Sequence, residues 1–202
     1  NRNRIMSNKQ FLALPVTGDT FAEVREKNRY YVDKTPYLKQ VFSEDEAVGE
    51  NSLIDGTTVL LLTRPRRFGK TMLMNMFESF LNINYEKPGD TSIQDKFFKG
   101  TKILEDQKFC KKYMGQFHVI SITLKDVLGD DFESAYLKLA EVVSAKANEF
   151  SFLRESPYLN EMEKAKFNLL CDEIYLKKAD KQAISYVTSA IKSLSLMLYK
   201  HF

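Results

Sequence analysis

One continuous stretch, TTVLLLTRPRRFGKTMLMNMFESFLN from Thr57 to Asn82, decides the predicted fold of this chain. It opens with the apolar run TTVLLL at 57–62, which is rich in β-compatible residues and suits a buried parallel strand. In the second half, apolar side chains recur at three- and four-residue spacing: Leu73, Met76, Phe77, Phe80 and Leu81. That spacing predicts an amphipathic helix, so a strand, the loop TRPRRFGKT and a helix follow one another.

The loop ends with Gly69, Lys70 and Thr71, as phosphate-binding loops do. In the pattern G-x-x-x-x-G-K-S/T, backbone N–H groups surround a phosphate, the lysine reaches the β- and γ-phosphate oxygens, and the hydroxyl binds Mg²⁺. A glycine is needed because the turn approaches the phosphate closely with positive φ. A bare Gly-Lys-Thr also describes a helix start with a solvated lysine, but the flanking strand and helix favour phosphate binding. We therefore expect ATP and Mg²⁺ as ligands, with Thr71 on the metal.

The first half of the loop departs from that pattern. Arg64 stands where the first glycine is usual, and Arg66, Arg67 and Phe68 precede Gly69. Arg66 and Arg67 would add charge-assisted contacts to a polyphosphate, so they join Phe68 as candidate nucleotide-binding residues. The same basic and aromatic residues also favour an alternative, a nucleic-acid-binding or nucleotide-sensing module, although no basic stripe extends the patch.

Further elements complete an α/β prediction, a parallel sheet with flanking helices. FHVISITL at Phe117–Leu124 resembles a second buried strand. Asp130 is the predicted N-cap of a helix, Ser156-Pro157 predicts another helix start, and a last helix is expected from about Lys181. The chain should therefore alternate strands and helices as P-loop proteins do.

The amino-acid composition limits the class of protein but does not indicate a binding partner. The 202 residues are 44% apolar with a net charge of +3, which suits a globular chain and argues against an acidic tail. Cys110 and Cys171 have no metal-binding spacing, so neither a zinc site nor a disulfide framework is indicated. No apolar run is long enough to span a membrane and the polar start is unlike a secretion signal, so a cytoplasmic location is expected.

The loop and its surroundings carry a family resemblance. Four stretches resemble the N-terminal part of the bacterial AAA-ATPase-like family: TRPRRFGKT with its arginine, Leu14–Phe42, Phe97–Ile103 and His118–Asp126. The resemblance implies a P-loop ATPase core over 14–202 that binds ATP. Because the sequence begins with Asn1 and its first methionine is Met6, residues 1–13 are expected to be a tail or a cloning remnant. The resemblance also implies that longer members continue into a C-terminal region resembling PD-(D/E)XK nucleases, through which nucleic acid could be a partner.

The resemblance extends to the segment YVDKT before the loop. It implies that the matching Tyr31, Asp33 and Lys34 lie near the nucleotide base or the entrance of the domain. A structural interpretation is also open, in which 30–32 form an edge strand and Asp33 caps the helix PYLKQVF. Both interpretations can hold together.

Hydrolysis requires an acidic residue at the end of a second strand, and this acid is hard to find. The nearest match, Asp172-Glu173, lies in a pattern that favours a helix with Phe167, Leu170, Ile174 and Met162 on one face, so a surface acidic pair is expected. The resemblance implies that the acidic strand follows Phe202. We therefore expect a chain truncated before this strand, inactive as an ATPase by itself and prone to self-association through unpaired strand edges.

Overall fold

A computed structural model describes residues 12–16, 18–42, 61–63, 65 and 68–202 of the chain. The chain divides into two compact units, one ending at Val119 and the other beginning at Ile120. Each unit has its own helices and its own buried residues.

The first unit is built from short helices around an aromatic core. Its helices are α1 (Phe21–Glu26), α2 (Pro36–Phe42), α3 (Lys70–Leu81), α4 (Ser92–Phe98) and α5 (Gln107–Tyr113), with a 3₁₀ helix at Lys102–Glu105. The predicted helix after the loop is confirmed as α3, and it buries Leu73, Met76 and Phe80 as its spacing indicated. Phe80 packs between Phe98 and Phe109, with ring centroids 5.3 and 5.9 Å away. These contacts anchor the last turn of α3 in the core, whereas Lys70 and Thr71 of its first turn are exposed.

The predicted parallel sheet is wrong for the part of the chain that the structure describes, where all regular secondary structure is helical. Residues 57–60 of the first predicted strand lie outside the described residues, and Leu61 and Leu62 are irregular. Of the second, only Phe117 pairs, in an isolated parallel bridge with Asn82. An apolar, β-branched sequence forms a strand only where a neighbouring strand pairs along its length. Among the described residues the segment 118–124 has no such neighbour, and the predicted edge strand at 30–32 is likewise irregular.

The second unit is a helical bundle with a few buried polar contacts. Its helices are α6 (Phe132–Glu149), α7 (Glu161–Cys171), α8 (Glu173–Leu176) and α9 (Lys181–His201), with a 3₁₀ helix at Ser151–Glu155. The buried Ser144 hydroxyl donates to the Cys171 carbonyl at 2.8 Å, and the Tyr136 hydroxyl donates to the Leu176 carbonyl at 2.9 Å. These bonds help to satisfy the carbonyls at the ends of α7 and α8, together with a bond from the Asn148 amide to Cys171 at 3.0 Å and one from the Ala179 N–H to Leu176 at 3.4 Å.

The first residues of the helices in this unit test the helix starts that local sequence patterns predicted. The expected last helix is confirmed, and Asp180 caps it. The helix expected from Asp130 is also present, but Asp131 is its N-cap and accepts a hydrogen bond from the Ser134 N–H. The start predicted at Ser156-Pro157 is wrong, because α7 begins at Glu161, with Asn160 as N-cap and Glu163 as the second member of a capping box.

Within the described residues, no helix has both the length and the apolar character needed to cross a bilayer.

Candidate functional site: the loop before α3

Gly69 has the backbone conformation that a phosphate-binding turn requires. Its φ is +72° and its ψ is 32°, in the left-handed region that glycine enters without a steric penalty. It is the N-cap of α3, its carbonyl accepts the first helical hydrogen bond from the Leu73 N–H at 2.9 Å, and as a glycine it contributes no side-chain cap. The N–H groups at a helix start have no partner within the helix, and an N-cap without a side chain leaves them to other acceptors, among which an anion is typical.

Lys70 and Thr71 occupy this first turn, as the sequence pattern indicates. Both residues are exposed, and no acidic side chain lies in the turn. The Lys70 ammonium donates to the Pro65 carbonyl at 3.4 Å, so its side chain folds back over the loop. The positive end of the helix dipole and the Lys70 charge lie together, and they favour an anionic ligand here.

A second lysine reaches the loop from the segment YVDKT. The Lys34 ammonium donates to the Phe68 carbonyl at 3.3 Å. A Cβ added to Gly69 would lie 2.8 Å from the Lys34 Nζ. The contact brings the two segments together in the first unit and adds a cation beside the candidate anion site. The family resemblance pointed to Lys34 only by its position in YVDKT, and no local pattern indicates that it contacts the loop.

The remaining loop candidates are only partly described. Arg66 and Arg67, and also Arg64, lie outside the described residues. Phe68, two residues before Lys70 in the sequence, is described and is 61% exposed. Their contacts with a nucleotide stay a prediction.

Tyr31 connects the segment YVDKT to α3 through its side chain. Its hydroxyl donates to the Met76 sulfur at 3.3 Å and accepts from the Lys34 N–H, also at 3.3 Å. Its ring packs edge-on against Phe21, with centroids 5.2 Å apart. Burial raises the pKa of Tyr31 to about 12, so the hydroxyl stays protonated at physiological pH. The observed contacts attach YVDKT to α3, and a contact of Tyr31 with nucleotide stays a prediction.

Asp33 organises the chain at the entrance to α2. One carboxylate oxygen accepts hydrogen bonds from the N–H and the hydroxyl of Thr35, at 2.9 and 2.7 Å, and the other accepts from the Lys102 N–H at 2.8 Å. Burial opposes ionisation of this carboxyl, but the hydrogen bonds outweigh burial and hold its pKa below the ordinary value. The expected capping of α2 by Asp33 is not observed in this form, because its carboxylate bonds Thr35, the residue before the helix, and no N–H within Pro36–Phe42. The bond to Lys102 joins two distant segments, and a nucleotide contact of Asp33 stays a prediction.

We expect Asp33→Asn to lower the free energy of unfolding by about 1 kcal/mol near neutral pH, because an amide is a weaker acceptor than a carboxylate. The loss should shrink in acid. Asp33 of the unfolded chain titrates near 3.8, whereas the folded pKa is lower. The stabilisation is therefore complete above the ordinary value and disappears as the pH falls through the folded pKa. Urea unfolding of the wild type and Asp33→Asn, from about pH 2 to pH 6, measures this difference.

The exposed Asp130 offers a matched control, because Asp130→Asn removes a similar charge outside this network. Its stability should follow the wild-type pH dependence. Parallel curves for the wild type and Asp33→Asn would show that the carboxylate does not stabilise the fold.

The Asp172-Glu173 pair has structural partners. The Asp172 carboxylate accepts from the Tyr175 N–H at 2.9 Å and caps α8, and the Glu173 carboxylate forms an ion pair with Lys177 at 2.6 Å. The expected surface acidic pair at a helix is confirmed. The predicted apolar face holds for Phe167 and Leu170, which are buried; Ile174 and Met162 are exposed.

Across the described ranges, no group of three or more His, Cys, Asp or Glu side chains is arranged to hold a metal ion. The first unit thus presents a left-handed glycine followed by lysine and threonine at the start of a helix, which is the geometry of a candidate phosphate-binding domain. The model of the family described as Predicted AAA-ATPase matches residues 15–190, so the chain belongs to this family. No curated protein and no solved structure gives a significant match.

Proposed function

We propose that this chain binds ATP with Mg²⁺ at the loop before α3. The observation that carries the proposal is the left-handed Gly69 at the start of α3, directly followed by the exposed Lys70 and Thr71. Membership of the Predicted AAA-ATPase family supports the same ligand class.

Each residue of the loop has a distinct role in this proposal. Backbone N–H groups at the start of α3 bind a phosphate, and the Lys70 ammonium exchanges the Pro65 carbonyl for β- and γ-phosphate oxygens. Lys34 adds positive charge at the edge of the site, and Arg66 and Arg67 are proposed as further phosphate contacts. The Thr71 hydroxyl would be the protein ligand of Mg²⁺, which commonly takes few protein oxygens and completes its shell with phosphates and water.

The proposal stops at binding. Hydrolysis requires an acid that positions the metal or the attacking water. Asp172 and Glu173 are engaged in capping α8 and in pairing with Lys177, so we assign hydrolysis to neither. We propose that the chain holds nucleotide with little turnover by itself.

A second candidate function is binding of single-stranded nucleic acid by the same loop. The observation that favours it is the exposed Phe68, two residues before Lys70 in the sequence, because aromatic stacking combined with phosphate contacts is typical of such sites. A nucleoside triphosphate and a nucleic-acid strand would then compete for Lys70.

Thermal unfolding with ATP·Mg²⁺ and with single-stranded DNA separates the two functions. We expect ATP·Mg²⁺ at about 100 times its Kd to add about 2.7 kcal/mol to the free energy of unfolding. A DNA ligand would act with a steep dependence on salt, because its binding releases counterions. Stabilisation by DNA at low salt without stabilisation by ATP·Mg²⁺ would favour the second function, and stabilisation by neither would contradict both.

A further inference from the structure

A hollow lies at the opposite end of α3 from the phosphate-binding loop. It has a volume of about 580 Å³ and is lined by the last turn of α3, the following segment and one side of α4. We call it the α3–α4 hollow; its lining includes Glu78, Tyr85, Glu86, Gln94 and Phe97. Eight residues of helix separate Lys70 from Glu78, about 12 Å along the axis, so the hollow is distinct from the proposed ATP site.

The charges that line the α3–α4 hollow favour a cationic ligand. Glu78 and Glu86 contribute two carboxylates, and neither forms an ion pair with a described lysine or arginine. The last turn of α3 contains no basic residue, so the negative end of its dipole is not offset there. Lys96, a neighbouring cation on α4, is paired with Glu26 at 3.2 Å and is outside the lining.

A buried acceptor in the lining points to a hydrogen-bond donor as the ligand. Gln94 is only 5% exposed, and its side-chain N–H donates to the Asn82 carbonyl at 2.8 Å. That bond fixes the amide orientation, because the opposite orientation would place two oxygens together. The Gln94 Oε1 then has no hydrogen-bond partner in the described part of the chain. A buried acceptor without a partner costs free energy that a donor in the hollow would recover.

The shape and walls of the hollow favour a planar cation. Tyr85 and Phe97 supply aromatic rings to the lining. The Tyr85 ring stacks on His118 with centroids 5.8 Å apart, and the Lys96 ammonium lies 5.6 Å from the Phe97 centroid, so these rings already hold a planar group and a cation, the two properties that a guanidinium combines. A guanidinium also has five N–H donors in one plane, which can serve two carboxylates and an amide oxygen together, whereas an ammonium is a compact point charge. We propose that the α3–α4 hollow binds an alkylguanidinium group, carried by a free small molecule or by an arginine side chain.

Titration of the full chain followed by NMR tests the proposal with matched ligands. Agmatine represents the free molecule and Nα-acetyl-arginine amide the arginine side chain; Nα-acetyl-citrulline amide has nearly the same shape without the charge. We expect at least one guanidinium ligand to shift backbone amide signals of residues 82–94 at concentrations up to about 10 mM, with the tighter of the two identifying the source. The citrulline derivative should bind at least about fivefold more weakly than its arginine counterpart.

Substitutions in the lining test the assigned carboxylates. We expect Glu78→Gln and Glu86→Gln each to weaken guanidinium binding by about fivefold, since each removes one partly exposed charge. Glu105→Gln, an exposed position in the 3₁₀ helix, is the matched control and should leave the affinity unchanged. A dispersed spectrum and unchanged ATP binding in Glu78→Gln would show that the unit remains folded and that this site is independent of the loop.

Three results would overturn the proposal. They are an absence of shifts with both guanidinium ligands, equal affinity for the citrulline derivative, and unchanged affinity in both folded Glu→Gln variants. Failure of the chain to bind ATP would leave the proposal standing, because the hollow and the loop lie at opposite ends of α3.

Discussion

ATP·Mg²⁺ affinity should fall about 100-fold in Lys70→Ala, because the variant removes the charge-assisted contacts to the β- and γ-phosphates. The side chain is exposed, and its hydrogen bond to the Pro65 carbonyl, at 3.4 Å, is long. The fold should therefore tolerate the change. Titration calorimetry measures the affinity, and urea unfolding without nucleotide checks the stability.

Lys111→Ala provides the matched control for this variant. Lys111 is an exposed lysine in the last turn of α5, so its removal changes the net charge equally without touching the loop. We expect its ATP affinity to match that of the wild type. Equal affinities of Lys70→Ala and the wild type would exclude the loop as the nucleotide site.

Gly69→Ala should have two effects, a loss of stability and a loss of ATP binding. An alanine at φ +72° costs about 1–2 kcal/mol, because its Cβ crowds the backbone in the left-handed region. Relief of this strain turns the N–H groups at the start of α3 away from the phosphate position, so ATP affinity should fall at least about tenfold. Chemical unfolding and calorimetry measure the two effects.

Gly100→Ala separates backbone strain from the role of the loop. Gly100 has a similar φ of +77°, and an added Cβ there meets nothing within 4 Å. We expect a similar loss of stability with unchanged ATP affinity. If Gly69→Ala bound ATP normally, the left-handed conformation would have no role in binding.

Lys34→Ala, added to Gly69→Ala, shows how much of the effect is steric. The added Cβ at position 69 lies 2.8 Å from the flexible end of Lys34, so removal of that side chain relieves the close contact. The φ penalty remains. ATP binding should therefore not recover in the double variant, and recovery to the wild-type affinity would assign the defect to the clash alone.

The predictable parts of the site depend on interactions within a few residues of the chain. Neighbouring residues predict three features of the site: the helical period of α3, the left-handed glycine before it, and the positions of Lys70 and Thr71 on its first turn. The ordering of the α2 entrance by Asp33 is also local, since Thr35 is two residues away. Interactions between residues so close in the chain can be predicted from a single sequence.

The contacts that complete the site join residues far apart in the chain. No sequence pattern predicts the hydrogen bond from Lys34 to the Phe68 carbonyl or the one from the Lys102 N–H to Asp33. The α3–α4 hollow likewise depends on where Gln94 packs against the end of α3. Only the assembled unit shows which polar atoms meet and which stay unpaired.

The sequence alone determined α3, its glycine-lysine-threonine start, the last helix and the family to which the chain is assigned. Tertiary structure decided against a strand over 118–124, despite its apolar and β-branched residues. The physical reason is that a helix satisfies its backbone hydrogen bonds within its own segment, whereas a strand depends on a partner that only the folded chain supplies. The same dependence on distant partners placed Lys34 beside the loop and left Gln94 with an unpaired acceptor.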